Sequence, residues 1–467
     1  MAIAKQRPFG AFCVAAAGSG EGKTTISLAL MRALTRRGLT VQPFKCGPDY
    51  IDPSFHDFAC RRKSRNLDDW MMGENEVKKS FAVNTSDADC AVIEGVMGLF
   101  DGAQPGQLQG STANIALLTD TPVILAVNCR GMAGSIAATV KGYAEFCPRL
   151  RVIGVIANRT GSDSHADILR QALELAGLPP LLGHLPRNEA WKMPERHLGL
   201  VPFAENTLPD PWFEKLADAV EQYCDLDRII ELVQLPRPVV PTLTVRSPQA
   251  RLAIALDEAF HFYYADNLDC LRRHGIETVP FSPLRDIALP PDIDGVYLGG
   301  GFPEMFAAEL EGNESMRTAL RDFHAAGNFI YAECGGFMYL SENITDATGA
   351  TRKMCGLLPG RTTMNGRLRS LGYREARTVA DTPFGPAGTT WRGHEFHWSD
   401  IEYTGTVMPL WHIAAADGRN LGGTGVRDHQ LFASYIHLHF SSNPEATAGL
   451  ADYLGGLRRC RTSTKCH

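Results

Sequence analysis

The sequence predicts an α/β chain of two units, each built on a mostly parallel sheet. Three observations support this. Apolar runs alternate with amphipathic helical patterns in two successive series, and strand–helix alternation implies parallel strands covered by helices. A proline-rich stretch without a helical period, Leu235–Ser247, separates the two series. Each series also carries its own reactive loop: a glycine-rich one with a lysine, then a glycine-flanked cysteine. At 467 residues the chain exceeds what one hydrophobic core supports.

The first unit is set at residues 1–234. Its strands are expected at Phe12–Ala17, Val41–Lys45, Cys90–Glu94, Val123–Asn128, Val152–Asn158 and Leu181–Leu185, with helices at Thr24–Arg37 and Ser135–Phe146. A linker takes residues 235–249. The second unit, 250–454, has strands at Leu252–Leu256, Ile276–Phe281, Gly295–Leu298 and Asn328–Ala332, and helices at Phe262–His274 and Ser315–Ala326. From residue 355 onward glycine, threonine and aromatics dominate, which suits antiparallel strands and long loops; residues 455–467 are assigned to a C-terminal tail.

Bulk properties narrow the function. Hydrophobic content of 44% and charged content of 21% are those of a soluble globular protein. A net charge of −6 argues against a nucleic-acid binder, and the small basic clusters at Arg61–Arg65 and Arg458–Lys465 suit solvated faces. Twelve cysteines without paired CxxC spacing imply free thiols in a reducing, cytoplasmic compartment. Met1–Gly10 lacks the apolar core of a signal peptide, and no stretch approaches the ~18 apolar residues of a membrane span.

The first reactive loop is Gly18-Ser19-Gly20-Glu21-Gly22-Lys23-Thr24-Thr25. A strand, a glycine-rich loop and a helix starting at Lys23 turn backbone N–H groups toward an anion. Lys23 is the candidate for the β- and γ-phosphates of ATP, and the Thr24 hydroxyl for Mg²⁺. Ala17 stands where the strict motif has glycine, so the loop is a deviant one. Downstream, Lys45, Asp49 and Asp52 fall where a strand meets its loop, the edge at which open α/β sheets bind ligands. Lys45 would offset charge on a transferring phosphoryl group. Asp49 and Glu94 are the candidate metal carboxylates; Asp52 and Asp101 are candidate site carboxylates, with turn chemistry as the alternative for each. Asn158, at a strand end, is a candidate reader of the adenine edge, the alternative being a turn or cap.

The second loop is Tyr331-Ala332-Glu333-Cys334-Gly335-Gly336. A nucleophile on a sharp strand-to-helix turn needs small neighbours, and Gly335 and Gly336 supply them. The Gly335 N–H is one oxyanion donor, and Gly300, within Leu298–Glu304, is the candidate second. His437 is the candidate base for Cys334, with His439 as the alternative.

These residues carry a resemblance. The deviant P-loop, Lys45–Pro53, Glu94–Gly102 and Gly393-His394-Glu395-Phe396-His397 are similar to the glutamine-hydrolysing cobyrinate a,c-diamide synthases of corrinoid biosynthesis, across Phe9–Leu454. The resemblance implies an α/β fold with a P-loop, dethiobiotin-synthetase-like parallel-sheet domain followed by a class I (triad-type) glutamine amidotransferase domain. It implies ATP, Mg²⁺, L-glutamine and cobyrinic acid or a related tetrapyrrole as the molecules handled. It places Lys45, Asp49 and Glu94 at the second-lysine and metal positions, and Tyr50, Asp52 and Asp101 at the tetrapyrrole or acyl phosphate. One departure stands out: triad glutaminases carry a carboxylate two residues after the histidine, and this chain has His439 there.

The expected reaction is amide synthesis in two turns, on the a and c acetate carboxylates, through acyl phosphates. Hydrogenobyrinic acid and nickel sirohydrochlorin are alternative acceptors for the same machinery, and a cobyric acid synthase is a related option. A switch ATPase of the ParA kind with an inactive second unit is the option from another class. A homodimer is left open, as are the macrocycle's metal and the order of amidation.

Overall fold

The structure, a computed structural model, describes residues 8–191, 193 and 210–464. Most of the Met1–Gly10 segment and the end of the basic cluster at Lys465 lie outside the described residues. The chain forms two compact units, 1–242 and 243–467.

In the first unit seven strands run parallel in the spatial order Arg65–Leu67, Val41–Cys46, Cys90–Glu94, Phe9–Ala16, Val123–Asn128, Val152–Thr160, Leu181–Pro186. Phe9–Ala16 is buried at every position, as a central parallel strand covered on both faces requires. The chain leaves this strand first toward one edge of the sheet and returns to fill the other edge. That reversal is the switch point at which loops part and a ligand fits. Gln234–Leu235 adds an antiparallel pair to Phe9–Gly10. Arg237 donates to the carbonyls of Thr85, Ser86 and Ala88 and lies over the Phe9 ring at 5.2 Å. The start of the proline-rich stretch is thus tied to the first unit. Its end is tied to the second, where Arg246 N–H donates to Arg273 and Gln249 N–H to Gly275.

The second unit has a six-stranded sheet ordered Ile276–Phe281, Ala250–Ala255, Gly295–Leu298, Phe329–Glu333, Leu431–Ser434, Val426–Asp428. Its first five strands are parallel, and the last pairs antiparallel. The expected antiparallel region is present. Ser370–Thr378, Thr390–His397, Trp411–Ala415, Asn420–Thr424 and His437–Leu438 form one antiparallel sheet, and Gly360–Met364 pairs Ser399–Tyr403 in another. Trp391 and Trp411 are fully buried in the core beside it.

Two sequence expectations shift. The helix expected from Phe262 begins at Ala265, because Phe262 bridges to Gly300 instead. The expected tail is helical as far as Thr464: Pro444–Thr464 forms one helix, and Leu457 packs against the core that holds Leu450, Ala451 and Leu454. Among the described residues no helix is long and apolar enough to cross a membrane.

Candidate active site

The P-loop joins strand Phe9–Ala16 to helix Lys23–Arg36. Gly22 has φ 96°, and a Cβ there would fall 2.1 Å from the Asn158 amide nitrogen, so only glycine fits. Asn158 braces the loop by donating from Nδ2 to the Glu21 carbonyl at 2.8 Å, and Arg159 donates to the Gly20 carbonyl at 2.9 Å. The Asn158 amide nitrogen is therefore committed to the loop backbone. Ser19, Thr25 and Asn158 border a cavity of about 780 Å³, together with Lys23, Thr24 and Lys45. That volume suits a nucleotide-sized ligand.

Four side chains meet on its floor. Glu94, fully buried at the end of its strand, accepts at Oε1 from Thr24 Oγ1 and Lys45 Nζ, each at 2.7 Å. Lys45 Nζ also donates to Asp52 Oδ2 at 2.7 Å and lies 3.9 Å from Asp49. Glu94 Oε2 meets His56 Nε2 at 2.7 Å, and His56 Nδ1 meets Ser64 Oγ. His56 escaped the sequence reading. The signal that could have found it is its place four residues after Asp52 on helix Asp52–Cys60, which puts both on one face.

Electrostatics separate the two lysines. Burial, and then the charge of Lys45, push Lys23 down. Burial also works against a charged Lys45, but Asp52, Glu94 and Asp49 outweigh it and hold this ammonium well above its ordinary range. Lys23 Nζ donates to the carbonyls of Gly18 and Met97 at 2.7 and 2.5 Å. Met97 has a positive φ of 46°. Asp49 is pushed up to about 6 by burial and by Asp52.

Asp49 yields a prediction. Its folded pKa lies above the ordinary carboxylate value, so its contribution favours folding at low pH and is lost as pH rises through about 6. Asp49→Asn is therefore expected to stabilise the protein, free of nucleotide and metal, at pH 7 and to have no such effect at pH 4. Urea unfolding at the two values checks this.

The remaining first-unit candidates sit further out. Asp101 Oδ2 accepts from the Gly98 N–H at 2.7 Å and shapes the Glu94–Gly102 turn. Tyr50 is half-buried in the Lys45–Pro53 loop. The donors expected for Mg²⁺, Thr24 Oγ1, Asp49 and Glu94, are all oxygens. That set suits Mg²⁺, which takes few protein ligands and completes its shell with water and phosphate. Among the described residues there is no group of three or more His, Cys, Asp or Glu built as a metal cage.

In the second unit Cys334 lies between strand Phe329–Glu333 and helix Gly335–Leu340. Its φ of 46° and ψ of −102° are strained for an L-residue, as on a nucleophile elbow, and cost of order 1–3 kcal/mol. Gly336 N–H donates to Gly299, drawing the Gly299–Gly301 loop against the elbow, and the Gly335 N–H faces the sulfur. Burial, then nearby Glu304, push the thiol up, so at rest it is protonated and needs a base.

His437 abuts the same loop. A Cβ on Gly300 would fall 2.3 Å from its Cε1. Gly300→Ala is thus expected to displace the imidazole, lowering glutamine hydrolysis by about 10²-fold or more while ammonia-supported amidation persists, since misplacements near 1 Å carry such costs. Glutamate release assayed beside amide formation checks it. His439 turns elsewhere: it is fully buried, its ring packs 5.0 Å from that of Tyr264, and burial pushes it down to about 3.

The Gly393–His397 motif forms the wall beside Cys334. The Phe396 carbonyl is 3.8 Å from the sulfur, and His397 stacks on Tyr435 with centroids 3.8 Å apart. Arg374 Nε donates to Glu395 Oε2 at 2.6 Å, and His397 Nε2 meets Glu395 Oε1 at 3.1 Å. Burial opposes ionisation of Glu395, but His397 and Arg374 outweigh it and hold the carboxyl down at about 2.

A P-loop floored by a second lysine, with a strained cysteine and a histidine in the other unit, defines an ATP-using enzyme of the glutamine amidotransferase class that forms C–N bonds. Comparison with known proteins agrees in both halves. Residues 12–201 match the CobQ/CobB/MinD/ParA nucleotide-binding domain, and 251–445 the CobB/CobQ-like glutamine amidotransferase domain. Cobyrinate a,c-diamide synthase of Syntrophotalea carbinolica is 47% identical over 95% of this chain and 98% of its own. Those of Dehalococcoides mccartyi and Priestia megaterium are 43% and 41% identical, each over 92% of this chain and 95% and 94% of their own. The chain belongs to the cobyrinate a,c-diamide synthase family.

Proposed function

We propose that this enzyme amidates the a and c acetate carboxylates of cobyrinic acid, using one ATP and one glutamine for each. The observation that carries the reading is the shared Glu94 carboxylate, which gathers Thr24 and Lys45 at the floor of the P-loop cavity. An acceptor carboxylate oxygen attacks the γ-phosphorus of ATP, ADP leaves, and an acyl phosphate forms. Lys23 follows the β- and γ-phosphates, and Lys45, held charged by its carboxylates, faces the charge that builds during transfer. Thr24, Glu94 and Asp49 are the residues that would hold Mg²⁺, which when bound neutralises phosphate charge.

In the second unit Cys334 gives its proton to His437 and attacks the glutamine carboxamide carbon. The Gly335 N–H, with Gly300 from the facing loop, receives the oxyanion. The proton then passes to the leaving nitrogen, ammonia departs, and water releases glutamate from the thioester. Ammonia displaces phosphate from the acyl phosphate and yields the amide. ADP formation with ammonia as nitrogen source, measured against cobyrinic acid, hydrogenobyrinic acid and nickel sirohydrochlorin in parallel, tests the acceptor. Cobyrinic acid is expected to give the highest kcat/KM. A higher value with either competitor would move the assignment to that ring.

A further inference from the structure

His437 lacks the downstream carboxylate of triad glutaminases, and His439 in its place faces Tyr264. A carboxylate reaches it from another direction. Tyr297 and Tyr331 are direct partners on neighbouring parallel strands, so their side chains stand on one face. Glu333 lies two residues after Tyr331 and shares that face. Its Oε1 accepts from the Tyr331 hydroxyl at 2.6 Å and from the Leu438 N–H at 3.0 Å, and its Oε2 accepts from the Tyr297 hydroxyl at 2.8 Å. Oε2 lies 3.7 Å from His437 Nδ1, with both side chains about 2–3% exposed. Leu438 follows His437 directly, so the carboxylate grips the backbone that carries the imidazole.

We propose that Glu333, the residue immediately before the nucleophile, is the positioning carboxylate that orients His437. The inference rests on Cys334 and His437 being the reacting pair. Two physical points favour it over a purely architectural acid. Buried carboxylates call for a counter-charge, and among the described contacts of Glu333 the imidazole is the one group able to become a cation. Second, a carboxylate at Nδ1 keeps the proton there and leaves the Nε2 lone pair to take the thiol proton. The imidazolium so formed gains its counter-charge, and Nε2–H then passes the proton to the departing nitrogen. The separation exceeds a hydrogen bond, as triad contacts often do without substrate.

Glu333→Gln tests this directly. The amide can still satisfy the tyrosines and the Leu438 N–H, but it turns a donor or a neutral oxygen toward Nδ1. Glutamate release from glutamine is expected to lose about 10⁴-fold in kcat, the scale for converting a triad carboxylate to its amide, with KM little changed. Ammonia-dependent amidation should be retained. Loss of the negative charge lowers the imidazole's affinity for a proton, so the acid limb of kcat/KM for glutamine should move to lower pH. The other titratable groups facing this pair are His394 beside His437, and Cys334, Tyr263, Tyr297 and Tyr331 around Glu333. All of them remain in the variant. Glu333→Asp keeps the charge and should recover part of the rate. Glutamine hydrolysis by Glu333→Gln within a few-fold of the parent, an unmoved acid limb, or equal loss of the glutamine- and ammonia-dependent rates would each overturn the proposal. Persisting glutaminase activity in Cys334→Ala would instead overturn the reading on which it rests.

Discussion

Cys334→Ala is expected to abolish amidation driven by glutamine and to leave amidation driven by ammonia near the parent rate. The thiol supplies the only covalent step in nitrogen release, and removing a nucleophile costs roughly 10³–10⁶-fold in kcat. The fold should tolerate the change. Alanine is smaller than cysteine and meets the same strained φ of 46°, and the elbow is held by backbone bonds, Cys334 N–H to Ser434 and Gly336 N–H to Gly299. Amide formation followed with each nitrogen source, beside glutamate release, checks this.

Lys45→Ala is expected to fail with both nitrogen sources. The lysine is the shared cation for Asp52 and Glu94, with Asp49 close by. Without it Glu94 loses a charge-assisted bond and faces Asp52 with nothing between them. Breaking a buried pair by removing one partner costs about 3–5 kcal/mol, so the first unit should also unfold earlier. Phosphoryl transfer loses the charge that meets the transferring group, a contribution of about 10²–10³-fold for one such donor. ADP formation and a thermal melt together report both effects. A variant that melts early but turns over normally would show that Lys45 is architectural.

How much of this was legible in the sequence follows from how local each feature is. The P-loop and the cysteine elbow each occupy a few consecutive residues, so their chemistry shows in the residue types alone. Glu94 and Lys45 were visible because each ends an apolar run at the edge where parallel sheets bind ligands. His56 and Glu333 were hidden for the opposite reason. His56 meets Glu94 across 38 residues, and Glu333 meets Leu438 across 105. Only the tertiary fold brings such pairs together: His56 comes from a helix, and Glu333 and Leu438 from strands of two different sheets. Glu333 falls just past the strand expected at Asn328–Ala332, and its tyrosine partners follow only from the pairing of Tyr297 with Tyr331. The Arg374–Glu395 pair depends likewise on the register of two antiparallel strands. Asp101 shows the converse: a polar loop residue whose carboxylate accepts from the Gly98 N–H, three residues away, and shapes the turn beside the P-loop. That duty is local backbone chemistry, which residue type alone does not separate from ligand binding.

Mass spectrometry of cobyrinic acid after incubation with the enzyme, ATP, Mg²⁺ and glutamine tests the proposed amidation most directly. The expected product carries two carboxylate-to-carboxamide exchanges and is made by Cys334→Ala only when ammonia replaces glutamine. Unchanged cobyrinic acid, with ATP and either nitrogen source consumed or not, would contradict it.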